Sequence, residues 1–194
     1  MPKPTGSNKE NWERTRAHLL AVATTCFAEH GFADTSTTMI IKAAKSSRGS
    51  LYHHFPDKKS LFQAVYDQQC QVISDRVGGY PTDGKEPQKE LVAGCLEYLK
   101  FFTDPAFARI ILMDAPHVLG MEYCRSKDAE TAYKELYDGI HDFTPDTERA
   151  TLLTDFLSGA MDFYAERIAI SDDPDKAFDV YSTAFQEFAL KVIG

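Results

Sequence analysis

The run Ser47-Arg48-Gly49-Ser50-Leu51-Tyr52-His53-His54-Phe55 gathers hydroxyls, a guanidinium and two imidazoles without a single acid. Written as a helix, it points Leu51 and Phe55, four residues apart, to one side and Arg48, Ser50, Tyr52 and His53 to the other. A face of donors with no competing carboxylate suits phosphate oxygens and base edges, and arginine is the natural reader of guanine. Gly49 costs such a helix about 1 kcal/mol relative to alanine, and its lack of a side chain lets the backbone approach a partner closely. His53 and His54 do not predict a metal site, because adjacent helical residues diverge by about 100°. Other chemistries find little support. There is no Gly-x-Ser-x-Gly, no Gly-x-x-x-x-Gly-Lys and no His-x-x-x-His. Asp114 and His117 are one possible acid–base pair, but a helix cap and a polar core residue explain them more simply. No catalytic residue, metal ligand or cofactor is therefore expected.

The net charge of −8 first argues against a nucleic-acid partner. Its distribution reverses that inference. Residues 1–60 carry nine Lys/Arg against five Asp/Glu, a net +4, and the remaining residues carry 12 against 24, a net −12. A basic head on an acidic body is what a protein needs if only the head meets phosphate. No stretch approaches about 18 uninterrupted apolar residues, so no membrane partner is expected. The N-terminal Met1-Pro2-Lys3-Pro4-Thr5-Gly6 does not read as a secretion signal. Cys26, Cys70, Cys95 and Cys124 are widely spaced, none in a Cys-x-x-Cys pair. They read as small buried hydrophobes in a reducing compartment, and a cytoplasmic location is expected.

The elements that must position the donor face read as all-α, with nine helices. After a flexible tail at 1–8, Asn8 or Asn11 caps a helix running to about His30, and Gly31 ends it. Short helices follow at about 37–44, capped by Thr35-Ser36, and 48–54, capped by Ser47; Phe55-Pro56 stops the latter. Asp57 caps a long helix from Lys58 to about Val77, and a loop spans 78–84. Further helices are expected at about 87–102, 105–115, 120–142, 145–170 and 174–193, three of them opened by Asp-Pro or Thr-Pro starts. Arg109–Met113 alone is ambiguous between helix and strand. Residues 1–56 are expected to form a helix-turn-helix DNA-binding domain and 57–194 a separate helical body. The long first helix covers the two short ones, so the third can enter a major groove about 12 Å wide.

The stretch from about Thr15 to Leu61 resembles the N-terminal domain of TetR-family transcriptional regulators. Five landmarks carry the resemblance in order and spacing: Phe27-Ala28-Glu29-His30-Gly31-Phe32, Thr35-Ser36, Ala43-Ala44, Ser47 to Phe55, and Lys58-Lys59-Ser60-Leu61. Asp104-Pro105 and Asp114-Ala115-Pro116-His117-Val118-Leu119-Gly120 are similar to the body of a subset of that family. The resemblance implies that Thr35, Thr37, Tyr52 and Lys58 hold phosphates, and that Arg48, Ser50 and His53 face bases. The sequence departs from the family in the turn. Lys45 stands where a glycine is usual, Ser46 where an apolar residue is usual, and Ile41 where a small one is usual. A left-handed Lys45 costs on the order of 1–2 kcal/mol; otherwise the turn is rebuilt around Ser46, with Ser47 as cap. Lys45, Ser46 and Ser47 join the expected DNA-facing set in either case, Lys45 as an extra phosphate contact.

The resemblance also implies that 57–194 is a ligand-binding and dimerisation domain with a ligand cavity. Phe62, Tyr66, Phe102, Phe107, Met113, His117, Tyr133, Tyr137, Phe156 and Tyr164 are its candidate lining, and an aromatic-rich core is the competing reading of each. Little positive charge accompanies them, so a largely apolar effector is expected, planar aromatic or cationic. The last two helices carry more apolar surface than one core face needs. By resemblance they form a four-helix dimer interface through Phe156, Ser158, Gly159, Phe163, Tyr181, Phe185 and Phe188. The function implied is a repressor that binds a palindromic operator on double-stranded DNA as a homodimer and is released by a small-molecule effector. An activator or ligand-independent regulator of the same fold, and more remotely an all-α carrier or enzyme, are the alternatives.

Overall fold

The computed structural model describes residues 7–79 and 84–194. Residues 1–6 of the expected tail and 80–83 of the expected loop lie outside the described residues. Among the described residues the chain is all-α, without strand. The helices are α1 (Asn8–Asp34), α2 (Thr37–Ala43), α3 (Arg48–His54), α4 (Lys58–Gly78), α5 (Pro87–Lys100), α6 (Pro105–Ala108), α7 (Ala115–Val118), α8 (Met121–Ala129), α9 (Ala132–His141), α10 (Thr147–Ala169) and α11 (Pro174–Ile193). Nine of these have seven residues or more; α6 and α7 are single turns joined by a π-helical turn, Arg109–Asp114. That turn resolves the ambiguous 109–113 run as helical. The helix expected over 120–142 is divided at Glu130-Thr131, where the Thr131 hydroxyl bonds back to the Lys127 carbonyl.

The head begins one residue before the expected caps. Ser7 accepts from the Glu10 amide while Glu10 returns a bond to the Ser7 amide, a reciprocal cap worth about 1 kcal/mol. Gly31 breaks α1 with φ +77° and ψ 169°, a conformation reserved for glycine. Ser36, Ser47 and Asp57 each accept the amide three residues on, which starts α2, α3 and α4. Leu19, Ala23 and Phe27 of α1 meet Ile40, Leu51 and Phe55 in one core. The same core continues through Leu61, Phe62, Val65 and Tyr66 of α4 and Ile110 and Ala115 beyond it. The boundary expected at residue 56 thus separates helices but not cores: the first half of α4 completes the head.

The turn between α2 and α3 keeps glycine's geometry with a lysine in it. Lys45 has φ +48°, its amide donates to the Lys42 carbonyl at 3.2 Å, and the Ser46 amide donates to the Ile41 carbonyl at 3.0 Å. This is the bond pattern of a helix closed by a left-handed residue. Lys45→Gly is therefore expected to raise the melting temperature by about 2–4 °C, some 0.5–1 kcal/mol of relieved strain net of glycine's extra freedom when unfolded. A fall in melting temperature would contradict the left-handed turn.

A second core fills the body, where Tyr98, Leu99 and Phe102 meet Leu136 and Ile140, and Leu157 meets Phe185. The π-helical turn fastens head to body. Its wide pitch sets Arg109 and Asp114, five apart, on one side. The Arg109 guanidinium donates to the Ala28 and Glu29 carbonyls at 3.2 and 2.6 Å, and Asp114 accepts from the Phe32 amide at 2.8 Å. Gly31 sits between these grips, with Asp114 Oδ2 only 3.5 Å from where a Cβ would stand. His117 turns away and bonds the Met113 carbonyl at 2.7 Å, so Asp114 and His117 make no acid–base pair.

Candidate functional site

On the head, Lys45, Ser47, Arg48, Tyr52 and His53 are exposed, and Thr37, Ser46 and Ser50 are half-buried beside them. The Arg48 guanidinium lies over the Tyr52 ring, 5.5 Å from its centre, and the Tyr52 hydroxyl is 3.3 Å from that of Thr37. The three form one linked polar surface that joins the start of α2 to the outer face of α3. Ser47 is occupied as the cap of α3, accepting from the Ser50 amide at 3.1 Å, and its hydroxyl proton stays available to an outside acceptor. His54 packs inward with its ring 4.9 Å from Trp12, and burial, aided by His53 and Arg16, lowers its pKa.

Two expected phosphate contacts are placed differently. Thr35 is 1% exposed, and its hydroxyl donates within the bend of α1 to the Cys26 and Gly31 carbonyls at 3.0 and 2.7 Å. It cannot reach an outside phosphate. The Lys58 ammonium donates to the carbonyls of Phe32, Ala33 and Thr35 at 2.8, 3.5 and 3.0 Å and lies 4.2 Å from the Phe32 ring centre. Its three protons already close the open end of α1. Lys42 and Lys59, absent from the expected set, are exposed. A favourable spacing in sequence could not distinguish Lys58 from Lys59, because the carbonyls that capture Lys58 come from more than 20 residues earlier.

Beneath the head lies a cavity of about 510 Å³, walled by α4, α5, the Ile111–Pro116 stretch, α8 and α10. Of the ten expected lining residues, Tyr66 and Met113 line it. Phe62 and Phe102 are fully buried in the two cores, and Phe107 packs on Phe101 and Phe102. His117 and Phe156 are exposed, Tyr133 bonds Asp155, Tyr137 stacks on His141, and Tyr164 packs at a tilt against Tyr181. The walls missed in sequence include Cys70, Tyr98, Cys124, Asp128 and Asp162. The Tyr98 hydroxyl donates to Asp162 Oδ1 at 3.2 Å. Burial, and then the Asp162 charge, push the Asp128 carboxyl up to about 6, against only the Tyr133 amide. Burial raises Asp162 too, although it keeps solvent contact at the cavity mouth.

A carboxyl whose pKa is raised on folding destabilises the fold once ionised. The penalty is absent below the unfolded value of 3.8 and grows as pH rises through about 6. Asp128→Asn is therefore expected to raise the melting temperature at pH 8 by roughly 3–6 °C, about 1–2 kcal/mol after solvent screening. The gain disappears near pH 4; equal gains at both pH values would show that the charge is not the cause.

This geometry has close counterparts. Residues 19–65 match the family model described as bacterial regulatory proteins, tetR family, and residues 88–190 match a tetracyclin repressor-like C-terminal domain. The second match alone covers more than half of the chain. The chain belongs to the TetR family. Among TetR-family relatives, the HTH-type transcriptional regulator AcrR of Shigella flexneri is 41% identical over 59 residues, 30% of this chain and 27% of that protein. The HTH-type transcriptional repressor AcnR of Corynebacterium glutamicum is 40% identical over 75 residues, 39% of this chain and 36% of that protein. The likeness to these curated relatives thus spans about a third of their length. A solved TetR-family regulator of Pectobacterium atrosepticum is 27% identical with a TM-score of 0.77, covering 93% of this chain and 95% of that one. RolR, solved in complex with resorcinol, shares the fold at 17% identity and a TM-score of 0.67, over 96% of this chain and 94% of that one.

In this TetR-family chain, α10 and α11 leave an uncovered apolar stripe. Leu152, Phe156 and Phe163 on α10, and Val180, Phe188 and Val192 on α11, are large and exposed. Gly159 stands among them with open space where a side chain would be. Phe185, expected on this stripe, is instead buried in the body core at 2% exposure, and Tyr181 and Ser158 are half-buried. Among the described residues no helix is long and apolar enough to cross a membrane.

Proposed function

We propose that the protein is a DNA-binding repressor that holds a palindromic operator as a homodimer and lets go when a small molecule fills the body cavity. The observation that carries this reading is the acid-free face of α3, with Arg48, Tyr52 and His53 exposed above a body in which two helices leave an apolar stripe open. Arg48, Ser50 and His53 read base edges. Thr37 and Tyr52, with exposed Lys42, Lys45 and Lys59, hold phosphates. Joining two copies through α10 and α11 covers Phe156, Phe163 and Phe188 and sets two heads on half-sites about 34–36 Å apart. Such a protein acts where the chromosome is, in the cytoplasm.

Two elements support release by a ligand, because each touches both head and cavity. Helix α4 starts in the head with Leu61 and Phe62 and reaches the cavity with Tyr66, Cys70 and Ile73. The π-helical turn grips α1 through Arg109 and Asp114, while its Ile111, Leu112 and Met113 line the cavity. A ligand that prefers one placement of these walls must bias the heads by the same free energy. RolR, with its bound resorcinol, supports a cavity of this fold as a ligand site. Selection from random duplex DNA tests the reading. A two-fold palindrome with half-sites about one helical turn apart is expected; a single unrepeated half-site, or no enrichment, would overturn it.

A further inference from the structure

The charged side chains that line the cavity are mostly acidic. Asp128 from α8 and Asp162 from α10 face it together with Glu166, and the single basic side chain in its walls is the exposed Arg125. Among the described residues neither Asp128 nor Asp162 is in an ion pair, and neighbouring Lys127 reaches Glu130 instead, at 3.5 Å. Among the described residues the only side chain hydrogen-bonded to either carboxylate is the buried Tyr98 phenol on Asp162. Asp128 is half-buried and Asp162 exposed; two carboxylates on one wall repel one another, and only the Tyr133 amide on Asp128 and the Tyr98 hydroxyl on Asp162 offset this among the described residues, neither of them a cation. Above them the walls are aromatic and sulfur-bearing, through Tyr66, Tyr98, Met113 and Cys70. Among the described residues no three His, Cys, Asp or Glu are grouped to hold a metal ion.

Resting on the reading of this cavity as the effector site, we propose that it takes an organic monocation, a protonated amine or amidine on an aromatic body, with the cationic group seated between Asp128 and Asp162. The positive charge answers both carboxylates at once, and the phenol rings of Tyr66 and Tyr98 add attraction for a cation and stacking for the ring. A cavity of about 510 Å³ accommodates a molecule of drug-like size. A carboxylate or phosphate ligand of the same shape meets repulsion instead.

Three isosteric probes separate charge from shape: 1-naphthylmethylamine, 1-naphthalenemethanol and 1-naphthoate, each titrated calorimetrically into the full-length protein at pH 7.5. The amine is expected to bind at least about tenfold more tightly than the alcohol, and the naphthoate more weakly than either. In Asp128→Asn/Asp162→Asn the amine falls to the alcohol's affinity while the alcohol's own binding stays unchanged. The comparison within the unaltered protein decides the matter even where the double variant folds poorly. Equal or tighter binding of the alcohol or naphthoate, a preference for the amine that survives in the folded double variant, or no binding by any probe overturns the inference. Titrating the same preparation against its selected DNA keeps the two readings apart. DNA binding without a preference for the amine overturns the cationic site alone, and a preference without DNA binding overturns the regulator.

Discussion

Phe163→Asp is expected to give a folded monomer whose affinity for operator DNA falls at least about a hundredfold. Phe163 is 51% exposed on the stripe that also holds Leu152 and Phe156, so the substitution disturbs little within one chain. Covering a phenylalanine contributes about 1.5–3 kcal/mol, and a two-fold interface counts it twice. Aspartate adds two like charges to a surface that must lose its water, which raises the cost further. The proposed dimer would thus lose several kcal/mol, and with it the second head that doubles the contacts on a palindrome. Sedimentation gives the mass and fluorescence anisotropy the affinity. A variant that remains dimeric would place the interface elsewhere.

Arg48→Ala is expected to weaken operator binding about 10- to 100-fold and to abolish discrimination at one base pair of each half-site. Arg48 is exposed and lies over the Tyr52 ring, outside the head core, so its removal leaves that core intact. A bidentate contact from arginine to guanine is worth about 1–3 kcal/mol of discrimination. The check is affinity measured across a set of operators with single substitutions. A loss spread evenly over all of them would make Arg48 a phosphate contact instead.

The head was largely legible in sequence because its signals are local. Ser36, Ser47 and Asp57 cap at the spacing expected of caps, and Gly31 and Lys45 take the positive φ their positions demand. Where local signals ended, so did accuracy. Thr35 and Lys58 are typical phosphate-binding types, yet the bend at Gly31 folds carbonyls of α1 onto both. In the body, aromatic content pointed to the core rather than to the cavity. Phe62 and Phe102 fill space between helices, whereas the cavity is bounded by Cys70, Asp128 and Asp162, whose meeting depends on how α4, α8 and α10 cross. Helix α11 shows the same limit. Phe185 and Phe188 are three residues apart on a helix apolar on two sides, and only the packing of α5 and α10 decides that Phe185 is core and Phe188 is surface.

The central claim is that the basic head, not the acidic chain as a whole, meets DNA. Its most direct test is the affinity of the purified protein for duplex DNA containing its own upstream region, measured from 50 to 200 mM salt. Neutralising some six to ten phosphates across two heads predicts a steep fall, on the order of 10³–10⁵ over that range. An affinity that is absent, or that does not change with salt, would contradict the account.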